Sequence, residues 1–384
     1  MTMETITVIG GGLAGLVAAI SAAEQGARVT LHEKQATLGG RGRTNAGPYK
    51  TNRGPHALYT GSLTTWLKQR DLLPPTIPPK EGAFTMVWRG ERNAFPPVFE
   101  SVIRTLPLTA PSDRNYRDWA TQHMGEQGAE AAIGFLSLPT YHADPGALAA
   151  AFAHERLQRA FEPDGFAYVR GGWAALIACL EMRARALGVV IETQSTITAL
   201  PPGPTIVATE MSTAARLLDN PGLSWTSTRT ALFDVAIGRD HVDPVAVLDL
   251  DQRVYVARYT AYDDSLAPAG EELIQCCAGI REGETLSGAI DRIHGVLDRN
   301  FATWRGRKTW SQQSPYVGTA PVDHPGTSWR DRPGIEQGAK IWLAGDHVAA
   351  PGLLAEVAFA SAITAAAAAV RSVSTGGVRA EARA

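Results

Sequence analysis

The sequence predicts an α/β protein in which a discontinuous Rossmann-type nucleotide-binding domain is interleaved with an α+β domain. Three observations predict this arrangement. A strand, a glycine-rich turn, a helix and a second strand open the chain, which makes a complete βαβ unit. A similar pattern returns near residue 171 and again near residue 340, after long stretches of different composition. One pattern interrupted twice favours two interleaved domains over two consecutive ones.

The opening unit begins with the β-branched run Thr5–Ile9, which is typical of a buried parallel strand. Helical composition follows from Leu13 to Gln25, and Gly26 stands where a helix commonly ends. Arg28–His32 then alternates like a second strand. The unit therefore predicts two neighbouring parallel strands joined by a helix.

The later pieces are shorter. Gly171 and Gly172 lead into a helix over Ala174–Leu187, and the next strands are predicted at 189–192, Ile197–Leu200 and Thr205–Thr209. The last piece is a strand over Lys340–Ala344 and an apolar helix from about Gly352, with a polar, frayed tail from Ser372. We assign residues 1–60, 166–210 and 316–384 to the nucleotide-binding domain, and residues 61–165 and 211–315 to a substrate domain.

Composition excludes several classes of protein. The 384 residues are 45% hydrophobic and 19% charged, enough apolar material for a sizeable core. The 36 basic and 38 acidic residues give a net charge of −2, so no basic excess indicates nucleic-acid binding. Cys179, Cys276 and Cys277 form no CxxC pair, which predicts no metal site. We expect a reducing, cytoplasmic setting.

The stretch LLAEVAFASAITAAAAAV at 353–370 is apolar and has nearly the length of a membrane span. It contains Glu356, Ser361 and Thr364, and half of its residues are alanine. We therefore predict a buried helix with small-residue contacts and no transmembrane segment. The start MTMETITVIG has no features of a signal peptide, so a soluble protein is expected.

The glycine-rich turn is the first functional signal. In the pattern Gly10-x-Gly12-x-x-Gly15, the first glycine permits a tight turn and the second lets a pyrophosphate approach the backbone. The third allows the helix to pack closely on the strand. Free N–H groups at the helix N-terminus then bind the diphosphate. The expected nucleotide-binding residues of this turn are Gly10, Gly12, Leu13, Ala14 and Gly15.

An acidic residue and a second glycine pair complete the nucleotide site. Glu33, 23 residues after Gly10, is placed to accept hydrogen bonds from ribose hydroxyls, with Lys34 beside it. Gly39-Gly40-Arg41 and Arg43 then add two glycines and two guanidinium groups near the pyrophosphate. An NAD dehydrogenase does not require this second phosphate clamp, so the sequence favours FAD.

These motifs carry a resemblance to a known family. IGGGLAGLVAAISAAEQGARVTLHEKQATLGGRGRT resembles the start of the flavin amine oxidase, phytoene desaturase and protoporphyrinogen oxidase superfamily, whose pattern is GxGxxG, an acidic residue and GGR. The segment 340–346 followed by PGLLAEVAFASA resembles its C-terminal flavin motif. The matches extend over nearly the whole chain. The resemblance implies FAD as the cofactor.

The resemblance also assigns residues. By it, Gly54, Pro55 and His56 pass the flavin ring, and the strand pair that includes Ile197 contacts adenine with its backbone. Gly345 and Asp346 lie at the ribityl or phosphate portion of FAD. The N-terminus of the last helix, with Leu353 and Leu354, lies near N1 and the C2 carbonyl of the flavin, where its dipole stabilises negative charge.

The closest match is to the phytoene desaturase-like branch, which implies removal of a hydride from a mostly apolar small molecule onto flavin N5 and leaves peripheral membrane contact open. Amine oxidases have a tyrosine before the C-terminal Pro-Gly, where this chain has Ala350, so an aromatic cage is not expected there. A flavin isomerase or mutase is a further alternative. A binding role like that of the GDP-dissociation inhibitors is the alternative outside enzymes, and the oligomeric state stays open.

His56 is the one titratable side chain expected beside the reactive ring. It is either a catalytic proton carrier, an orienting group or a structural donor to a backbone carbonyl. Trp173 is expected to cover the ring or fill the core, and His347 to stand behind Asp346. Candidate cavity-lining residues are Tyr141, His142, Tyr255 and Tyr259.

Overall fold

The computed structural model describes residues 4–80, 82–240 and 242–381. The strands are β1 (Ile6–Ile9), β2 (Val29–His32), β3 (Leu58–Tyr59), β4 (Thr76–Ile77), β5 (Phe84–Trp88), β6 (Glu91–Asn93), β7 (Phe166–Val169), β8 (Val190–Glu192), β9 (Thr205–Val207), β10 (Ser227–Gly238), β11 (Ala246–Asp249), β12 (Val254–Arg258), β13 (Glu271–Gly279), β14 (Lys308–Pro321) and β15 (Ile341–Leu343). The helices are α1 (Leu13–Glu24), α2 (Ser62–Lys68), α3 (Phe99–Ile103), α4 (Tyr116–Thr140), α5 (Ala150–Ala160), α6 (Trp173–Ala186), α7 (Met211–Leu217), α8 (Leu286–Asn300), α9 (Trp304–Arg307) and α10 (Ala355–Glu381).

A five-stranded parallel sheet forms the nucleotide-binding half, in the order β15-β9-β1-β2-β8. Its strands come from the beginning, middle and end of the chain. The chain leaves β1 towards β2 through α1, whereas β9 pairs on the other side of β1, so a topological switch point lies there. Helices α1, α6 and α10 contribute to one apolar core with these strands. The predicted α/β fold with a Rossmann-type sheet is confirmed.

A seven-stranded sheet forms the other half, in the order β14-β10-β13-β12-β11-β5-β6. Its pairs are antiparallel except β11 with β5, which are parallel. Helix α8 covers one face, and α4 and α5 lie over the other. A separate short sheet consists of β3, β7 and β4, in which β3 and β4 each pair antiparallel with β7. The strands of this sheet come from both segments that interrupt the nucleotide-binding pattern.

Three local predictions are corrected by the structure. Ile197–Leu200 forms no strand; it is irregular chain in which Ile197 and Leu200 pack against an apolar cluster. The last helix begins at Ala355, three residues later than expected, since Leu354 has a φ of +50° that a helix cannot include. It continues to Glu381, past Ser372, where a frayed tail was expected. Short runs of this kind carry weak conformational signals, so packing decides them.

The domain division stays a proposal. Two short helices that it assigns to the substrate domain, α2 and α7, pack with the nucleotide-binding half. Leu63 and Leu67 of α2 belong to the core under the parallel sheet, although residue 61 was taken as the start of the substrate domain. Ala214 and Leu217 of α7 pack with Ile9 of β1. Both helices therefore support the nucleotide-binding half.

The C-terminal helix α10 packs along α1 through small residues. Ala362, Ala365, Ala366 and Ala369 are buried in the shared core. Among the described residues, one helical segment, Ala355–Val373, is long and apolar enough to cross a membrane. Inside the protein, 56% of it is buried. In the protein, α10 contacts α1, α2, β15 and β9.

Candidate cofactor and substrate crevice

A crevice of about 950 Å³ lies at the carboxyl ends of the parallel strands and continues to the face of the seven-stranded sheet. Ligands of open α/β sheets bind at this end, beside a switch point in strand order. Residues that follow β1, β2, β9 and β15 line it, among them Gly10, Glu33, Thr209 and Asp346. Its volume is at the upper end of ordinary ligand pockets.

The glycine-rich turn has the geometry that a nucleotide diphosphate requires. Gly10 has a φ of +108°, and a Cβ atom there would lie 2.4 Å from the carbonyl oxygen of Ala208. A Cβ at Gly15 would lie 1.8 Å from the carbonyl oxygen of Gly10, so the third glycine is needed for helix packing. Helix α1 begins after Gly12 without a side-chain cap and without an acidic residue in its first turn. Its N-terminal N–H groups are therefore suited to a phosphate.

Glu33 lies at the end of β2 beside this turn. Its carboxylate accepts hydrogen bonds from the backbone N–H groups of Gly11 and Gln35, each at 2.8 Å. The side chain is nearly buried but lines the crevice. A carboxylate accepts about four hydrogen bonds, so capacity remains for ribose hydroxyls. The carboxylate of Glu33 therefore holds the glycine-rich turn, and its role towards a ribose stays a prediction.

The second glycine pair lies directly against the first. Gly39 has a φ of +116° and its N–H donates to the carbonyl oxygen of Gly11 at 2.8 Å. A Cβ at Gly40 would approach the Cα of Gly12 to 3.3 Å. A Cβ at Gly12 would meet nothing nearer than 3.9 Å. The two glycine turns therefore form a cradle whose open side faces the crevice.

Arg41 follows this cradle and forms an ion pair with Asp346. The Nδ1 of His347 lies 2.8 Å from the same carboxylate oxygen, and Arg332 reaches the backbone oxygen of Asp346. Burial alone would raise the pKa of Asp346, but the charges of Arg41 and His347 and their hydrogen bonds hold it well below its usual range. The pair joins residues from the start and the end of the chain and keeps the Asp346 carboxylate ionised.

His56 lies in the wall of the crevice with its ring edge-on to Trp173, at 5.1 Å between ring centroids. The Nδ1 of His56 lies 2.7 Å from the carbonyl oxygen of Gly54. Burial lowers the pKa of His56, and the backbone groups of Gly54 and Arg41 offset this only in part. The imidazole is therefore neutral near pH 7. Its catalytic role stays a prediction.

Tyrosines dominate the half of the crevice that faces the seven-stranded sheet. Tyr168 packs against Tyr259 and Tyr262, with ring centroids 5.5 and 4.5 Å apart. The hydroxyl of Tyr141 donates to the carbonyl oxygen of Pro55 at 2.6 Å. Burial raises the pKa of these phenols, so they are neutral hydrogen-bonding groups near pH 7. Further lining residues are Tyr59, Phe84, Phe135, Leu138, Phe166 and Tyr255.

Nearly all residues expected at the cofactor line the crevice. Gly15 and Gly54 do not, since Gly15 packs against β1 and Gly54 rests on Leu232. Tyr141, Tyr255 and Tyr259 line it as expected, and His142 does not. Tyr168, Tyr262 and Lys80 line it but were missed. The alternation of Phe166 and Tyr168 on β7 was a signal for the first of these. The residues placed in the wall are Gly10, Gly12, Leu13, Ala14, Glu33, Lys34, Gly39, Gly40, Arg41, Arg43, Pro55, His56, Ile197, Gly345, Asp346, Leu353 and Leu354.

Two features fit a flavin nucleotide. The glycine cradle is open where a diphosphate would pass, and a side chain at Gly12 would fill it. The indole Nε1 of Trp173 is buried, and none of the described residues accepts its hydrogen bond. A buried donor without a partner costs about 1–3 kcal/mol, and a ligand acceptor beside it would recover that cost.

Comparison with known proteins agrees with this architecture. Residues 8–69 match the model of the NAD(P)-binding Rossmann-like domain. No curated protein matches the sequence.

Solved structures match over nearly the full length at low identity. An oxidoreductase from Methanosarcina mazei is 17% identical, with a TM-score of 0.77 over 94% of this chain and 99% of that one. Cyclohexylamine oxidase from Brevibacterium oxydans IH-35A is 15% identical, with a TM-score of 0.72 over 97% and 100%. Reduced UDP-galactopyranose mutase is 13% identical, with a TM-score of 0.70 over 97% and 93%. The chain therefore shares the fold of these three structures over nearly its whole length.

Proposed function

We propose that the protein is an FAD-dependent oxidoreductase that removes a hydride from a small, mostly apolar molecule. The observation that carries this proposal is the crevice itself, where two glycine turns and the Arg41–Asp346 pair meet beside a tyrosine-lined chamber. One end of the crevice suits a dinucleotide and the other suits an organic substrate. Bound FAD would supply the redox chemistry, with its N5 as the hydride acceptor.

The residues of this chain bind and orient the two molecules. Gly12, Gly40 and the N-terminus of α1 would hold the diphosphate, and Glu33 would accept from the adenosine ribose. Asp346 would accept from the ribityl chain or position Arg41 at a phosphate. The buried carboxylate of Glu356, paired with Arg159 at 3.2 Å, accepts from the N–H of Leu353 at 3.1 Å and so fixes the start of α10.

The chamber wall also supports a substrate without a positive charge. Among the described residues of 61–165 and 211–315, Lys80 is the one charged side chain that lines it. Its Nζ donates to the carbonyl oxygen of Ala261 and lies 6.0 Å from the centre of the Tyr262 ring. Glu356 also lines the crevice, but its carboxylate is paired with Arg159, whereas a neutral molecule would contact rings and phenol hydroxyls. Ala350 is buried and does not line the crevice.

The test has two stages. The purified protein is examined for a flavin spectrum and titrated with FAD; a protein that is colourless and takes up no FAD overturns the proposal. The loaded protein is then mixed without oxygen with neutral, anionic and cationic molecules of one size, such as phenylethanol, phenylacetate and phenethylamine, and the flavin spectrum is followed. Perturbation by the neutral probe at the lowest concentration supports the proposed substrate class, and preference for the amine contradicts it.

A further inference from the structure

A buried polar cluster lies on strands β14, β10 and β13, at one side of the seven-stranded sheet. Asp234 of β10 stands opposite Gln275 of β13 and Gln312 of β14 in the strand registers. Gln275 Nε2 donates to one carboxylate oxygen at 3.1 Å and Gln312 Nε2 donates to the other at 2.8 Å. Asp234 is 4% exposed. A buried carboxylate costs free energy, and an apolar residue would fill the place at lower cost.

The two amides that hold Asp234 also hold a neighbouring segment. Gln275 Nε2 donates to the backbone oxygen of Asn52 at 3.1 Å. Gln312 Nε2 donates to the Thr51 hydroxyl oxygen at 2.9 Å. Thr51 and Asn52 are buried, and two residues later Gly54 rests on Leu232 of the same strand as Asp234. Strand β10 thus supports residues 51–54 at both ends.

Asn52 extends this support to the other half of the protein. Its side-chain oxygen accepts from the Thr44 hydroxyl at 2.8 Å and lies 3.4 Å from the backbone nitrogen of Trp173, at the start of α6. The Trp173 ring packs edge-on against His56. One continuous set of contacts therefore runs from Asp234 to the two rings in the crevice wall.

We propose that Asp234, acting through Gln275 and Gln312, is a positioning residue that fixes segment 51–56 and so sets His56 and Trp173 against the cofactor crevice. The inference rests on the proposed function where it concerns a flavin. The fixing of the segment is a property of the protein without any ligand. A role in sheet stability alone would affect the sheet and leave the segment no more mobile than the rest.

Hydrogen exchange of the FAD-free protein separates the two roles. The N–H of Gly54 donates to Asn52 and the N–H of Asn45 donates to Thr51, each at 2.9 Å, so peptides covering residues 45–57 report on the segment. Asp234→Asn keeps the side-chain size but presents an amide to two amide donors. We expect exchange in 45–57 to rise about tenfold relative to other parts of the protein, as for the loss of a charge-assisted hydrogen bond.

The matched control is Asp249→Asn. Asp249 is also buried, on β11 of the same sheet, and pairs with Arg299 and the N–H of Gln252, away from the segment. It should leave exchange in 45–57 unchanged. The double variant Asp234→Asn/Gln312→Glu moves the carboxylate across the pair and should restore slow exchange. Gln275→Met, which removes the donor to Asn52, serves if Asp234→Asn does not fold.

The outcomes are distinct. Equal effects of Asp234→Asn and Asp249→Asn on residues 45–57, or no effect of either, overturn the positioning role. Where the protein takes up FAD, the Asp234 variant should also show a changed flavin absorption spectrum that the double variant reverses. A wild-type protein that takes up no FAD refutes the proposed function, while the exchange comparison still decides the role of Asp234.

Discussion

Arg41 and Asp346 are 305 residues apart in the sequence and form an ion pair in the wall of the crevice. Arg41 follows the second glycine turn, and Asp346 follows β15, the edge strand of the parallel sheet. The Asp346 side chain is 8% exposed and that of Arg41 is 36% exposed. The guanidinium thus neutralises a buried charge and keeps part of its surface towards the crevice, where it can also meet a phosphate.

Replacing Arg41 should therefore destabilise the protein even without a cofactor. We expect Arg41→Gln to lower the free energy of unfolding at pH 7 by about 1–3 kcal/mol, because among the described residues Asp346 then keeps His347 as its one side-chain partner. Arg43→Gln, in the same turn, should change it by less than about 0.5 kcal/mol. Urea denaturation of both variants measures the difference.

The pH dependence of that loss has a definite sign. The pKa of Asp346 is depressed in the folded protein, so its pairing stabilises the protein above the unfolded pKa of about 4 and is lost as the pH falls below it. The difference between wild type and Arg41→Gln should shrink at pH values below about 4. A difference that stays constant with pH would mean that the variant acts through packing.

Gly12 and Gly15 have different roles in the turn: Gly12 leaves room for the cofactor, and Gly15 allows the helix to pack. Gly12→Val should leave the free energy of unfolding within about 1 kcal/mol, since a Cβ there meets no atom nearer than 3.9 Å. It should abolish FAD uptake, because the side chain fills the cradle. Gly15→Ala should destabilise by more than about 3 kcal/mol, since its Cβ would collide with Gly10. A Gly12→Val protein that retains FAD contradicts the cofactor assignment.

The nucleotide-binding end was predictable because its signals are local. Gly10, Gly12 and Glu33 lie within one βαβ unit, where hydrophobic periodicity and glycine spacing fix both the turn and its neighbours. Asp346 is far from these residues in the sequence, so no local signal predicted that it lies near Arg41. Only the resemblance to a family placed Asp346 at the cofactor. The segment that begins at Ile197 shows that a local signal can also be wrong. Its short run predicted a strand, but residues 197–200 are irregular chain and the sheet ends at β8.

The substrate end was much less predictable. Tyr168 and Tyr262 come from β7 and from a turn after β12, and nothing in the spacing of the two indicates that their rings touch. The cluster around Asp234 depends on the registers of three strands, with partners 41 and 78 residues away. Register is set by the packing of whole sheets, so it is not readable from any single segment.

Trp173 offers a test of the cofactor site through a single atom. Trp173→Phe removes the buried indole N–H that none of the described residues accepts. If a flavin accepts this hydrogen bond, the Kd for FAD should rise about tenfold. Trp66→Phe is the control, because Trp66 packs against Phe359 and does not line the crevice. It should weaken folding and leave the Kd for FAD unchanged; equal effects of both variants on the Kd would contradict the prediction.

Asp234 should make folding stability fall as the pH rises. Burial raises its pKa to about 6, against hydrogen bonds from Gln312 and Gln275 that lower it. The unfolded chain titrates near 3.9, so the folded protein binds more protons between these values, and stability is lost as the pH rises through about 4 to 6. Between pH 5 and 7 we expect wild type to lose about 1–1.5 kcal/mol relative to Asp234→Asn.

Gln312→Met gives this prediction its internal control. It removes one of the two donors that favour the ionised carboxylate, so the folded pKa of Asp234 should rise and the fall in stability should move to higher pH. Urea denaturation at intervals between pH 5 and 8 compares the three proteins. Parallel curves for wild type and Asp234→Asn would mean that the carboxylate is not buried as an ion, and the charge-based positioning of residues 51–56 would lose its physical basis.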